Sequence, residues 1–182
     1  MTCIVALEHN DKVYLGCDSF LGGAFIRDQI YKPKFFAKGD RFVIGFAGGL
    51  RGAQIIQHEI TFRNRRKNED EEAYLVKEVC RKVQASFARG GANIKDAGQV
   101  DTHGSEYIVC LNGKAFAIQI DYSITRSRYG YLVIGAGQEY ALGALAAMRK
   151  SKLNPAEKVK RALEIAAELC PQVCGPFYIT EV

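Results

Sequence analysis

The sequence has no tryptophan, two methionines, four prolines and three histidines in 182 residues. A Ser or Cys nucleophile with a His base finds no motif here to place it. His9 falls in a turn, His58 in a helical run and His103 in a polar stretch, and no Gly-x-Ser-x-Gly places a serine for any of them. Each reads as a surface residue. There is no Cys-x-x-Cys, and Cys170 and Cys174 have no His or Cys cluster near them, which argues against zinc. No apolar run approaches the ~20 residues that cross a bilayer. Acidic Glu8 and Asp11 interrupt the only apolar opening, so no signal peptide is expected and the setting reads as reduced and cytoplasmic. Gly-x-x-x-x-Gly-Lys-Ser/Thr is missing, which excludes a P-loop. Gly135-Ala136-Gly137 lacks the third glycine of a dinucleotide fingerprint, with Tyr140 in its place. The chain is expected to need neither cofactor nor metal.

What is present is ordinary for a globular protein, with 48% apolar and 25% charged residues. The formal charge of +5 comes from 25 basic residues spread among 20 acidic ones. No basic–aromatic motif accompanies it, so neither nucleic acid nor membrane is an expected partner. The length fits one domain over residues 1–182.

Strand patterns open the chain. Thr2 to Leu7 and Val13 to Cys17 flank a polar turn at His9-Asn10-Asp11-Lys12, and Phe35-Phe36 pairs with Phe42 to Phe46 around Lys38-Gly39-Asp40. Two helical patterns follow, one through Ala53, Ile56 and Ile60, the other through Leu75, Val79, Val83 and Phe87. The charged stretch Asn64 to Glu72 between them reads as a solvated connection, and residues 92–104 as a polar loop. Tyr107 to Leu111 and Ala115 to Ile120 enclose Asn112-Gly113, a strong hairpin signal. Tyr131 to Ile134 is a strand, followed by a helix over about 138–150. Asn154-Pro155-Ala156-Glu157 opens another helix, and Phe177 to Val182 ends the chain as a strand. Strands that arrive as hairpins favour antiparallel pairing. The predicted class is therefore α+β, a four-layer αββα sandwich of two antiparallel sheets, each covered by a helix pair.

Two features carry possible chemistry. Gly45-Phe46-Ala47-Gly48-Gly49 ends a strand and starts a helix, where exposed N–H groups can hold an oxyanion or simply permit a turn. Thr2 follows Met1, and removal of Met1 is expected because the second residue is small. A freed Thr2 would carry its hydroxyl beside an α-amine of pKa about 7.7–8.0, a usable general base.

Their spacing resembles that of the proteasome β-subunit and HslV family of N-terminal nucleophile hydrolases. Thr2-Cys3-Ile4-Val5-Ala6 is followed by Gly16-Cys17-Asp18-Ser19 and Pro33-Lys34-Phe35. Asp18 lies 16 residues and Lys34 lies 32 residues after Thr2, the family's own offsets. Ile44 to Gly49 is similar to the segment that supplies the oxyanion donor, and Ile134-Gly135-Ala136-Gly137 to the family's later Gly-Ser-Gly junction. Arg161 to Ala166 resembles its last helix, whereas residues 64–104 have no counterpart. The ending Gly175-Pro176-Phe177 and the short length resemble compact bacterial and phage members.

The resemblance implies Thr2 as nucleophile, Asp18 and Lys34 as its charged support and the Gly48 N–H as oxyanion donor. It implies a substrate backbone along the Gly22-Gly23 edge, with Leu21, Phe46 and Leu50 walling an apolar pocket and Lys32 near it. Polypeptide substrates, a stacked homo-oligomeric ring and an ATP-dependent unfoldase are the implied partners. The junction has Ala136 where the family usually has Ser, so Glu168 or Ser19 is a candidate for the missing support. Two other readings stay open: an inactive assembly or scaffold subunit, and a small-molecule amide hydrolase of the same fold, in which Cys3 could be the nucleophile only if Thr2 were also removed.

Overall fold

The computed structural model describes residues 2–22, 27–39, 42–94 and 102–182. Met1, Gly23 and Asp40, named above, lie outside the described residues. The chain runs through β1 (Ile4–His9), β2 (Lys12–Cys17), β3 (Phe20–Gly22), β4 (Arg27–Gln29), β5 (Phe35–Lys38) and β6 (Phe42–Gly48). Then come α1 (Leu50–Gln54), continuing as wider π-type turns over Ile55–Glu59, and α2 (Glu71–Tyr74), continuing the same way over Leu75–Cys80 into α3 (Arg81–Gly90). Strands β7 (Asn93–Ile94), β8 (Thr102–His103), β9 (Ser105–Leu111), β10 (Lys114–Ile118), β11 (Ile124–Thr125) and β12 (Tyr131–Ile134) follow. Helices α4 (Gln138–Ala147) and α5 (Pro155–Leu169) precede β13 (Tyr178–Glu181).

Local chemistry explains the turns and caps. Asn10 and Asp11 both take positive φ (50° and 58°), as do Asn112 and Gly113 (51° and 73°). That is the pattern of two-residue hairpin turns whose twist suits the strands they join. Asp70 caps the second helix by accepting the Ala73 N–H at 2.8 Å, and Gly91 ends it in the left-handed conformation. Asn154 and Glu157 form a reciprocal capping box before Pro155.

The strands form two main antiparallel sheets, ordered β12-β1-β2-β13 and β11-β10-β9-β6-β5. Alternation along each strand then makes the layers. On β1, Val5 joins Cys3 in packing under α4 and α5 with Val159, Leu163 and Leu145, while Ile4 and Ala6 point the other way. They meet Leu15, Ile108 and Cys110, which fill the space between the sheets. On the far side Tyr107, Val109 and Leu111 of β9 pack against Ile56, Leu75, Val83 and Phe87 of the first helical layer. The result is helix, sheet, sheet, helix. Among the described residues no helix is long and apolar enough to cross a membrane.

The structure revises several boundaries. β1 starts at Ile4, so Thr2 lies just before it, and α4 ends at Ala147. Ile60 is buried but extended, just past the first helix. Glu71 and Glu72 form the first turn of α2 because Asp70 caps it; they are not part of a solvated link. The stretch 92–104, read as loop, contains the β7–β8 pair.

His9 and His58 are exposed, but His103 is 1% exposed. The His103 ring lies 4.5 Å from Tyr122, 5.4 Å from Tyr107 and 5.6 Å from Phe87 between centroids. Neither ring nitrogen has a hydrogen bond among the described residues. Burial pushes its pKa below the usual 6.5. The folded state thus resists a proton that the unfolded chain accepts, and stability must fall as pH drops below 6.5. Thermal unfolding at about pH 7.5 and about pH 5.5 checks this. The loss on acidification should be smaller in His103→Phe than in the parent, whereas an equal loss contradicts the assignment.

Candidate active site

The β1–β2 hairpin sets the first part of the site. Its two-residue turn pairs Ile4 with Cys17, which brings the residues before β1 alongside those after β2. The Asp18 N–H donates to the Cys3 carbonyl at 3.2 Å, and the Asp18 carboxylate takes the Cys3 N–H at 2.9 Å. The 16-residue offset between Thr2 and Asp18 is therefore a hairpin register. On the other side β1 pairs with β12, Ile4 opposite Ile134, and Ala136, just past β12, lines the same cleft as Thr2. The Gly137 N–H donates to the Thr2 carbonyl at 3.4 Å.

Lys34 comes from the second sheet. It stands immediately before β5, and its carbonyl accepts the Phe46 N–H at 3.0 Å, extending the β5–β6 ladder by one step. Its ammonium reaches the Asp18 carboxylate at 2.8 Å, with side-chain exposures of 4% and 0%. The Asp18 oxygens also accept the N–H groups of Phe20 at 2.9 Å and Cys174 at 3.5 Å. Burying such a pair is tolerable only because the carboxylate is satisfied from several directions.

Thr2 is 4% exposed and borders a cleft of about 480 Å³ shared with Gly48, Ser105, Glu106, Ala136 and Gln138. Gly135 has φ +92°, and a Cβ there would lie 2.3 Å from the Thr2 carbonyl oxygen. Gly48 has φ +109°, and a Cβ there would lie 2.6 Å from the Gly104 carbonyl oxygen. Both positions require glycine on conformational and steric grounds. The Ser105 hydroxyl accepts the Gly49 N–H at 2.9 Å, fixing the turn that follows Gly48. Glu106 accepts the Gly135 N–H at 3.1 Å.

The structure thus gathers Thr2, Asp18, Lys34 and Gly48 at one end of the inter-sheet space. The pocket residues are placed differently. Phe46 shares the helix-facing side of β6 with Phe42 and Ile44, 8% exposed and 6.3 Å from the Phe36 ring. Leu21 and Leu50 are each 45% exposed and Lys32 is exposed. None of these, nor Gly22, borders the Thr2 cleft. Ser19 is fully buried and its hydroxyl donates to the Cys174 carbonyl at 3.2 Å, while Glu168 is exposed. Cys3 is fully buried, and burial followed by the nearby Asp18 charge pushes its thiol far up, which works against a thiolate nucleophile. Burial likewise raises Cys17 to about 12. No group of three or more His, Cys, Asp or Glu suited to a metal occurs among the described residues.

Ser105 and Glu106 are additions that local sequence reasoning missed. They stand just ahead of the apolar run of β9, and only the pairing of Gly48 with Ser105 brings them to the site.

An αββα sandwich with these residues at its open end defines an N-terminal nucleophile hydrolase fold. The model for proteasome subunits matches residues 1–172, and the chain belongs to the proteasome family. The ATP-dependent protease subunit HslV of Caldicellulosiruptor saccharolyticus is 26% identical over 173 residues, covering 93% of this chain and 91% of the relative. Among solved structures, Thiobacillus denitrificans BPH in complex with epoxomicin superposes with a TM-score of 0.84 at 13% identity, covering 99% of this chain and 97% of that one. Eukaryotic HslV from Trypanosoma brucei gives 0.70 at 18% identity, with 98% of both chains covered.

The two partners of the buried pair should differ in their effect on stability. Asp18→Ala removes the carboxylate that faces the buried Lys34 ammonium and is expected to cost about 3–5 kcal/mol. Lys34→Met should cost less, since the carboxylate keeps its backbone donors. Urea unfolding measures both, and equal losses would contradict this asymmetry.

Proposed function

We propose that residues 1–182 form one hydrolase domain that cleaves peptide bonds with Thr2 after Met1 is removed. The observation that carries this reading is the ion pair of Asp18 with Lys34, tied through the Cys3 N–H to the segment that leads from Thr2 into β1. The Thr2 hydroxyl attacks the scissile carbonyl, and its proton passes to the free α-amine. The Lys34 ammonium disfavours a second positive charge on that amine and helps offset the developing oxyanion, with the Gly48 N–H as its donor. The tetrahedral intermediate collapses as the C–N bond breaks, and the leaving amine takes the proton. Water then enters by the same route and hydrolyses the ester on Thr2.

The substrate strand lies along β3, which pairs only with β4 among the described residues and so keeps an open edge at Leu21 and Gly22. Leu21 and Leu50, both exposed, serve the residue before the cut. The working form is a homo-oligomeric ring, stacked and fed by an ATP-driven unfoldase. The relative named an ATP-dependent protease subunit supports that arrangement. Six unpaired cysteines suit a reducing, cytoplasmic setting.

A second reading, an assembly subunit without peptidase activity, is favoured by one observation. Ala136, in the same cleft as Thr2, brings no hydroxyl, and Glu168 is turned to solvent. Turnover of an unfolded polypeptide by protein freed of Met1 separates the two. The peptidase reading expects cleavage that Thr2→Ala abolishes and Lys34→Met lowers by about 10²–10³-fold. Cleavage unchanged in Thr2→Ala would sink it, and no cleavage by the processed parent favours the assembly subunit.

A further inference from the structure

Thr2 shares its cleft with none of Leu21, Gly22 or Leu50. The Leu21–Gly22 edge of β3 and the wall that Ser105, Glu106, Ala136 and Gln138 make beside Thr2 are therefore separate surfaces. If the chain before the cut runs along β3, as proposed above, the residues after the cut enter the walled cleft. Among the described residues its lining is small or uncharged apart from one carboxylate, that of Glu106.

Glu106 is well held for recognition. Its Cα is fixed by β9, whose Ala47–Glu106 and Gly48–Ser105 pairs continue the central ladder of the second sheet. One carboxylate oxygen, Oε2, accepts the Gly135 N–H at 3.1 Å, which orients the group. The other, Oε1, accepts no hydrogen bond among the described residues, and the side chain is half-buried at the cleft. Ile120, which also lines the cleft, is 52% exposed and offers apolar surface for the methylenes of a long side chain. A fixed carboxylate with one free oxygen, set beside apolar surface, suits an ammonium or guanidinium on an aliphatic stem.

We propose that Glu106 makes the site select a basic residue, Lys or Arg, immediately after the cut. The proposal rests on the peptidase reading and adds the substrate class to it. The charge acts at the rim of an open cleft, so its effect on selection is about tenfold, not absolute.

Three quenched-fluorescence peptides, identical except for Arg, Gln or Glu after the cleaved bond, test it, with cut positions verified by mass. For the Met1-free parent, kcat/KM should fall in the order Arg, Gln, Glu, with about tenfold between the ends. In Glu106→Gln, which keeps an acceptor for the Gly135 N–H, the ratio should approach one, and added salt should shrink it in the parent. Glu106→Asp should keep the order. Equal rates on the three peptides in the parent, or an unchanged ratio in Glu106→Gln, overturn the proposal while leaving the peptidase reading intact. No turnover of any peptide by the parent overturns both.

Discussion

Taking a carboxylate and an ammonium out of water costs several kcal/mol per ion, and a protein that does so must hold them closely. Here the pair is Asp18 and Lys34, and each comes from a different sheet. Asp18 follows β2 of the first sheet, and Lys34 precedes β5 of the second. Their 2.8 Å contact fastens the two layers at the end where Thr2 emerges. The hydrogen bonds from Cys3, Phe20 and Cys174 draw in three further segments around the same carboxylate. A short separation is possible only if the sheets stack in one register, so the apolar filling by Ile4, Leu15, Ile108 and Cys110 is a condition of the ion pair.

Thr2 is positioned almost entirely through main-chain atoms. Its carbonyl is packed by Gly135 on one side and bonded by Gly137, and the neighbouring Cys3 N–H is held by Asp18. Backbone restraint of this kind explains why glycines crowd this end of the fold. The Gly48 turn is braced separately by the Ser105 hydroxyl, and the Gly135 turn by Glu106. Two adjacent residues of β9 thus support both glycine turns around the nucleophile candidate. Ala136 lies in the middle of that arrangement without a polar group of its own.

Features specified by local chemistry were legible in the sequence. Asn10-Asp11 and Asn112-Gly113 announce their turns, and Asn154 to Glu157 announce a helix start, because the physics spans only a few residues. The offset from Thr2 to Asp18 was read through family resemblance, and the structure shows it to be the register of a two-residue hairpin. The second offset, to Lys34, joins different sheets and was legible only through family resemblance. What stayed hidden depends on distant pairing. His103 looks polar in sequence, yet Phe87, Tyr107 and Tyr122 enclose it. Ser105 and Glu106 look like the start of a strand until β9 is laid beside β6. Phe46 was assigned to a pocket, while strand alternation sends it toward the helices with Phe42 and Ile44.

The central claim is that Thr2, freed of Met1 and flanked by Lys34 and Asp18, is a nucleophile. The most direct test is the intact mass of the purified protein before and after exposure to an electrophilic peptide probe, with the modified residue located by fragmentation. The expected result is a chain lacking Met1 that gains one adduct on Thr2, and no adduct when Lys34 is replaced by Met. A chain that lacks Met1 yet remains unmodified, or carries the adduct on a cysteine, would contradict the claim.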